Sequence, residues 1–174
     1  ISQATVFAPE KQEGICTICG AKKTRDNGNK LTATIKLNAT SIKLQKKQST
    51  TKVKVTGLAN GDSVKSWISS NKKIVTVDKS GKIKAGKKTG NAKITVTLKS
   101  GKKAILKVKV QSTKVKTTKI TGLKTNFTLK KGKSLTLKPV VAPITSQEKV
   151  TYTTSNKKIA TVTKNGVVKA KKKG

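Results

Sequence analysis

The sequence predicts an all-β protein that contains two antiparallel β-sandwiches in tandem. Three observations lead to this prediction. Residues 70–85 read SNKKIVTVDKSGKIKA and residues 155–170 read SNKKIATVTKNGVVKA, so a whole block occurs twice at an offset of 85 residues. Apolar and polar residues alternate along several short runs, which is the period of a strand with one buried face. No segment keeps an apolar period of 3.6 residues, so we expect essentially no helix.

Residues 1–32 are predicted to be the tail of a short, separate module. They contain both cysteines of the chain, Cys16 and Cys19, and they show no match to the repeated block. The chain contains no Met and therefore does not begin at an initiator residue. We expect it to be a piece of a longer protein.

Residues 33–111 are predicted to form one complete sandwich of about seven short strands. The alternating runs are rich in Val, Ile and Thr, which suit a pleated, half-buried surface. Turn residues separate the runs, around Gly61, Gly81 and Gly101. The runs are TIKL (34–37), KVKV (52–55), KIVTV (73–77), KIKA (82–85), AKITVTL (92–98) and AILKVKV (104–110).

The second sandwich is predicted to occupy residues 119–174, after a polar linker at residues 112–118. Up to Gly174 this copy lacks counterparts of the last two strands of the first copy. Such a sandwich exposes inner-face residues and an unpaired strand edge. Three explanations stay open: a chain that continues beyond Gly174, strands donated by another chain, or a second module that is only partly ordered.

The composition argues against an enzyme. The chain has no His, so it lacks the usual general base and the commonest neutral metal ligand. Asp62, Asp78 and Glu148 are too scattered for a calcium site or for the carboxylate pair of a glycoside hydrolase. The sequence therefore predicts no catalytic residue, no metal site and no cofactor. It also lacks an apolar run of about 20 residues, so no membrane span is expected in this part of the protein.

Lysine dominates the charge of the chain. There are 41 Lys and Arg residues against 6 Asp and Glu, which gives a net charge of +35, and Arg25 is the single arginine. Because the lysines alternate with apolar residues, we expect them to form solvated faces that discourage edge pairing. A binding face for polyanions stays open as a second interpretation. Specific nucleic-acid recognition is not expected, because it relies on Arg, Asn and Gln at base edges and on aromatic stacking.

Cys16 and Cys19 form a Cys-x-x-Cys segment, for which we predict a structural disulfide. A zinc site needs about four ligands, and the chain supplies two Cys and no His, so half of a metal site is a weaker alternative. The third interpretation is that the two cysteines are free or redox-active. The turn-forming residues that follow them do not resemble the helix of a thioredoxin-like motif.

Trp67 and Tyr152 occupy equivalent places in the two copies, and we predict that each is a core aromatic residue of its sandwich. The alternative is a platform on which sugars stack. The Asn of each Ser-Asn segment is predicted to bond its own backbone and shape a turn, rather than to bind an ion or a sugar. The predicted turn-shaping residues are Asn71, Asn156, Gly81 and Gly166.

The repeated residues resemble the group 2 bacterial immunoglobulin-like domain. The pattern runs from Trp67 to Ala85, again from Tyr152 to Ala170, and continues as KTGNAKITV at residues 88–96. The resemblance implies immunoglobulin-like sandwiches, complete at residues 33–111 and partial at 119–174. It also implies modules of bacterial surface and secreted proteins, including invasin- and intimin-type adhesins, surface proteins of gut Firmicutes and extracellular carbohydrate-active enzymes. Segments similar to Cys16–Gly20 often precede such repeats, and the family offers no catalytic residues to transfer.

The function expected from the sequence is therefore a non-catalytic structural or adhesive spacer of a bacterial cell-surface or secreted protein. One alternative is a lysine-face binding module for polyanionic glycans or cell-wall polymers, with a host glycan as another partner. A second alternative is an accessory region of an extracellular carbohydrate-active enzyme. The expected location is extracellular.

Overall fold

The computed structural model describes residues 2–174, and no helix occurs in that range. This confirms the all-β prediction. The chain forms two compact units, Ile1–Thr113 and Lys114–Gly174.

The first unit contains a hairpin and a set of strands arranged in larger sheets. Its strands are β1 (Glu10–Ile15), β2 (Lys22–Asn27), β3 (Lys36–Leu37), β4 (Ser41–Gln45), β5 (Ser49–Thr50), β6 (Val55–Thr56), β7 (Val64–Ser69), β8 (Val75–Val77), β9 (Ile83–Ala85), β10 (Gly90–Leu98) and β11 (Lys103–Gln111). β1 pairs with β2, and β3 pairs with β6. The larger sheets have the strand orders β4-β11-β10-β7 and β5-β9-β8.

One strand pair departs from the antiparallel expectation. β11 and β4 run parallel, with Val108 opposite Ile42 and Val110 opposite Leu44, whereas the other pairs of this unit are antiparallel. A hairpin turn forces two strands to run in opposite directions, but β4 and β11 are separated by most of the sandwich. Their relative direction is therefore set by the fold and cannot be inferred from a turn.

The core of the first unit is aliphatic. Side chains at alternate positions of the long strands are buried, while the residues between them face outward. Each fully buried Val, Ile or Leu contributes about 1.5–3 kcal/mol relative to an exposed position. The buried apolar residues are Ile42, Leu44, Val53, Ile74, Val75, Ile83, Ala85, Ala92, Ile94, Val96, Leu98, Leu106, Val108 and Val110.

The N-terminal segment packs against the turn between β6 and β7. The Val6 N–H donates to the Asn60 carbonyl at 3.1 Å, and the Asn60 side-chain amide donates to the Ala4 carbonyl at 3.0 Å. A Cβ added at Gly61 would lie 2.8 Å from Cβ of Thr5. The N-terminal segment is therefore part of the first compact unit, Ile1–Thr113.

The second unit contains five strands within residues 114–174: β12 (Lys119–Thr121), β13 (Ser134–Thr136), β14 (Val140–Ala142), β15 (Ala160–Val162) and β16 (Val167–Ala170). β12 pairs with β14, and the other three form a sheet in the order β13-β16-β15. All of these pairs are antiparallel.

Most of the expected linker is an ordered part of the second unit. Val115 is buried, its N–H donates to Oε1 of Gln147, and its carbonyl accepts the Gln147 N–H at 2.9 Å. The Thr117 N–H donates to Oε2 of Glu148 at 2.7 Å. The backbone groups of Val115 and Thr117 are thus held by Gln147 and Glu148 of the same unit.

The two units differ in how deeply their equivalent residues are buried. Ile42 on β4 is 4% exposed because β4 pairs with β11, whereas its counterpart Phe127 is 46% exposed. Within residues 114–174, no strand pairs with the segment around Phe127. The buried apolar residues of the second unit are Val115 and Ala170.

Candidate functional site

An aromatic ring lies against a glycine at the same place in both units. A Cβ added at Gly81 would lie 2.9 Å from Cζ2 of Trp67, and a Cβ added at Gly166 would lie 2.8 Å from Cζ of Tyr152. Both glycines have positive φ, +80° and +77°. Trp67 and Tyr152 are half-buried, so they lie at the margin of the core and not deep inside it. Each ring covers the bare backbone of a turn.

A turn centred on asparagine also recurs. Oδ1 of Asn71 accepts the Lys73 N–H at 3.0 Å, and the Asn71 carbonyl accepts the N–H groups of Ile74 and Val75. The Ser69 hydroxyl donates to the Val75 carbonyl at 2.7 Å, which connects β7 to β8. Such bonds are the local side-chain-to-backbone contacts that shape turns.

The second unit repeats this geometry, with Thr154 in place of Ser69 and Ala160 in place of Val75. Oδ1 of Asn156 accepts the Lys158 N–H at 2.9 Å, and its carbonyl accepts the N–H groups of Ile159 and Ala160. The Thr154 hydroxyl takes the place of Ser69 and donates to the Ala160 carbonyl at 3.1 Å. Both asparagines are thus engaged with their own backbone.

Asp62 connects two turns of the first unit. Its Oδ2 accepts the Ser100 hydroxyl at 2.5 Å, and its Oδ1 accepts the N–H groups of Ser63 and Ser100. Desolvation raises the pKa of Asp62, but the hydrogen bonds from Ser100 and Ser63, with a smaller effect of the Lys99 charge, hold it below its ordinary value. The carboxylate therefore links the turn at residues 60–62 to the turn at residues 99–102.

Asp78 closes the turn between β8 and β9. Its Oδ1 accepts the Ser80 hydroxyl at 2.6 Å, the Ser80 N–H at 2.9 Å and the Lys82 N–H at 3.0 Å. The hydrogen bond from the Ser80 hydroxyl is the main reason that the pKa of Asp78 lies below its ordinary value. In the second unit Thr163 stands in its place, and its Oγ1 accepts the Val167 N–H.

Glu148 has the same kind of role in the second unit. The backbone N–H of Thr117, and then its side chain, lower the pKa of Glu148. Asp62, Asp78 and Glu148 thus lie in three separate loops. No group of three or more His, Cys, Asp or Glu side chains that could hold a metal ion occurs in the described part of the chain.

Cys16 and Cys19 lie in the turn that joins β1 to β2, and both are exposed free thiols. The Gly20 N–H donates to the Cys16 carbonyl, and the Cys16 N–H donates to the Ala21 carbonyl, both at 2.9 Å. Hydrogen bonds from the backbone and side chain of Cys19, and from the backbone of Ile18, lower the pKa of the Cys16 thiol. The expected disulfide is not formed in this structure, and it stays a prediction for the oxidised protein.

Several lysines share the outer face of the β4-β11-β10-β7 sheet. Lys107 lies directly opposite Lys93, and Lys109 lies directly opposite Lys43. Lys103 lies on the same face of β11, two pairs further along, and all five are exposed. None of the four strands contains an Asp or Glu residue. We call this surface the lysine face.

An apolar row borders these lysines. Thr95 lies between Ile105 of β11 and Ile68 of β7, and the two isoleucines are 52% and 57% exposed. Residues two positions apart on a strand are about 6.6–6.8 Å apart. The apolar row is therefore directly adjacent to the Lys93–Lys107 pair on the same face of the sheet.

Comparison with known families identifies the two repeated units. The profile of the bacterial Ig-like domain (group 2) matches residues 31–108 and 113–174. The chain belongs to this family. The two matched segments are the Ig-like domains of the chain, and the second begins at Lys114 in the structure, close to the start of its match and before the expected boundary at residue 119.

One relative is an enzyme. A kappa-carrageenase from Pseudoalteromonas carrageenovora is 54% identical to the chain over 48 residues, which are 27% of this chain and 12% of the carrageenase. The chain thus spans a small part of the length of that relative. No helix within residues 2–174 is long and apolar enough to cross a membrane.

Sequence reasoning missed two features of the Ig-like domains. The contacts of Trp67 with Gly81 and of Tyr152 with Gly166 were not anticipated, although each aromatic residue and each glycine was singled out alone. The signal was present, because both members of the pair recur at the same offset. The Asp62–Ser100 contact had no local signal, since the two residues come from turns 38 positions apart.

Proposed function

We propose that the chain is a non-catalytic structural module of a bacterial cell-surface or secreted protein, where it spaces and displays a distal domain or contacts other surfaces. The proposal is supported by the kind of residue that recurs in both Ig-like domains. The aromatic–glycine contact and the asparagine turn are the recurring features, and both hold the fold together. Arrays of such modules extend a chain by repetition.

A display experiment tests the spacer function. The 174-residue chain is placed between a cell-surface anchor and a folded reporter, and a Gly/Ser linker of equal length serves as the comparator. The linker behaves as a flexible coil, so the folded domains should give a larger fraction of reporters that a bulky antibody reaches. Equal access with both spacers would contradict the proposal.

The absence of catalysis is tested directly. The chain is incubated with kappa-carrageenan and with neutral polysaccharides, and the release of new reducing ends is measured. We expect none above buffer. Release that persists through repeated purification would show that the chain is an enzyme.

A second candidate is an accessory region of an extracellular carbohydrate-active enzyme, which the similarity to part of a kappa-carrageenase favours. In that case the chain, added as a fusion to a carrageenase catalytic domain, should raise activity on solid carrageenan and leave activity on short soluble fragments unchanged. An equal rate on the solid polymer with and without the fusion would rule out this role. Both functions have an extracellular location in common.

A further inference from the structure

The lysine face combines features that a purely solvated sheet surface does not need. Lys93 and Lys107 are a directly opposed like-charged pair, and like charges in this position destabilise a sheet. Thr, Ser or Gln would solvate the same positions without repulsion. Natural proteins keep such locally unfavourable arrangements at functional or strained sites, so the pair marks this face as a candidate site.

The apolar row beside the lysines limits the chemistry of the ligand. Ile68 and Ile105 are each more than half exposed and lie next to the Lys93–Lys107 pair. A sulfated or carboxylated sugar polymer has both groups that this surface accommodates, since its anionic substituents pair with ammonium groups and its ring C–H groups pack on aliphatic side chains.

Nucleic acid fits the same surface less well. Single-stranded nucleic acids are held by stacking on aromatic rings, and base edges are read chiefly by Arg, Asn and Gln. Trp67 lies on the opposite side of its strand from Ile68 and covers Gly81, and Arg25 belongs to β2. The lysine face therefore offers charge and aliphatic surface, with no aromatic ring among its exposed residues.

We propose that the lysine face binds a linear acidic polysaccharide, with Lys93, Lys107 and Lys109 contacting its anionic groups and with Ile68 and Ile105 contacting its sugar rings. This binding goes beyond the spacer function, and a negative result would leave that function intact.

The test compares two charge-matched triple variants of the 174-residue chain. The face variant is Lys93→Gln, Lys107→Gln and Lys109→Gln. The control variant is Lys72→Gln, Lys79→Gln and Lys87→Gln, which removes the same charge from exposed positions outside the four-stranded sheet. The probes are dextran sulfate and uncharged dextran, which have the same sugar backbone, and binding is measured by titration calorimetry over a range of salt concentrations.

We expect the face variant to bind dextran sulfate about tenfold more weakly or worse, with the salt dependence reduced by about one counterion per lysine removed. The control variant should lose less than about threefold, because screening weakens the effect of distant charges. Equal losses in both variants would overturn the proposal and leave only the attraction of net charge.

Two further measurements test whether the face recognises a polysaccharide or only binds negative charge. Ile68→Ser with Ile105→Ser should weaken binding without changing the salt dependence, and unchanged affinity would overturn the role of the apolar row. A single-stranded DNA of matched charge should bind more weakly than dextran sulfate, and tighter binding would overturn the polysaccharide assignment. Thermal unfolding checks that each variant is folded, and the single variant Lys107→Gln replaces the triple variant if that one unfolds.

Discussion

At the scale of single residues, position 81 requires a glycine for two reasons, its backbone conformation and the lack of space for a side chain. Its φ of +80° lies in the left-handed region, and the indole of Trp67 occupies the space where a side chain would begin. Gly101 shares only the first reason, since its φ is +87° and nothing lies within 4 Å of an added Cβ. The two glycines therefore separate backbone strain from packing.

Gly81→Ala should lower the free energy of unfolding by about 2–5 kcal/mol, because positive-φ strain adds to displacement of the indole. Gly101→Ala should lower it by about 1–2 kcal/mol, the cost of the strain alone. Denaturant titration followed by Trp67 fluorescence measures both. Losses of the same size would show that Trp67 yields to an added methyl group without cost.

We expect Asp62 to make the stability of the first domain depend on pH. Its pKa in the folded state lies below the ordinary value, because hydrogen bonds from Ser100 and Ser63 outweigh desolvation. A depressed carboxyl pKa gives stability that is complete above the unfolded pKa, about 3.9 for Asp, and is lost as the pH falls through the folded value.

Asp62→Asn should therefore flatten the fall in stability below about pH 4. The measurement is the denaturation midpoint of the two proteins between pH 6 and pH 2. Asp26→Asn, on the exposed hairpin strand β2, removes one carboxylate away from this contact and is the matched control. A profile that Asp62→Asn does not alter would show that Asp62 does not contribute to acid sensitivity.

At the scale of elements, the asparagine turn links the ends of β7 and β8. Asn71→Ala removes the acceptor for the Lys73 N–H and should destabilise the first domain by about 1 kcal/mol. Asn71→Asp keeps an oxygen at that position and should lose less. Urea denaturation of the two variants measures the difference, and an equal loss would mean that the side-chain bond to Lys73 is not what stabilises the turn.

Alternation along single strands made the long elements predictable, and pairing between strands was not predictable. Ile94, Val96 and Leu98 are buried at every second position of β10, as their pattern indicates. The parallel pairing of β4 with β11 depends on contacts across the whole sandwich, which no local pattern encodes. For the same reason, the sequence showed many lysines but not that Lys93 lies opposite Lys107.

The expected linker shows a second limit of sequence reasoning. The polar composition of residues 112–118 predicts a linker and does not show that Val115 is buried, with its backbone bonded to Gln147. Composition measures how many polar groups a segment has and does not show whether they bond to water or to the protein.

At the scale of the whole molecule, each Ig-like domain contains one spectroscopic reporter of its own. The chain has a single Trp, residue 67, and a single Tyr, residue 152. The buried aliphatic core surrounds β10 and β11 in the first domain, whereas Val115 and Ala170 are the buried apolar residues of the second. Because burial of apolar surface is the main favourable term in folding, the first domain should be the more stable one in the 174-residue chain.

Denaturation followed by tyrosine fluorescence should therefore show a lower midpoint than denaturation followed by tryptophan fluorescence. Ile94→Ala, at a fully buried position of β10, should lower the stability reported by Trp67 by about 2–5 kcal/mol. The Tyr152 transition should keep its midpoint, because the core that Ile94 fills belongs to the first domain. If the two probes shift together, the domains fold as one cooperative unit, and the stability of the second cannot be attributed to its own core.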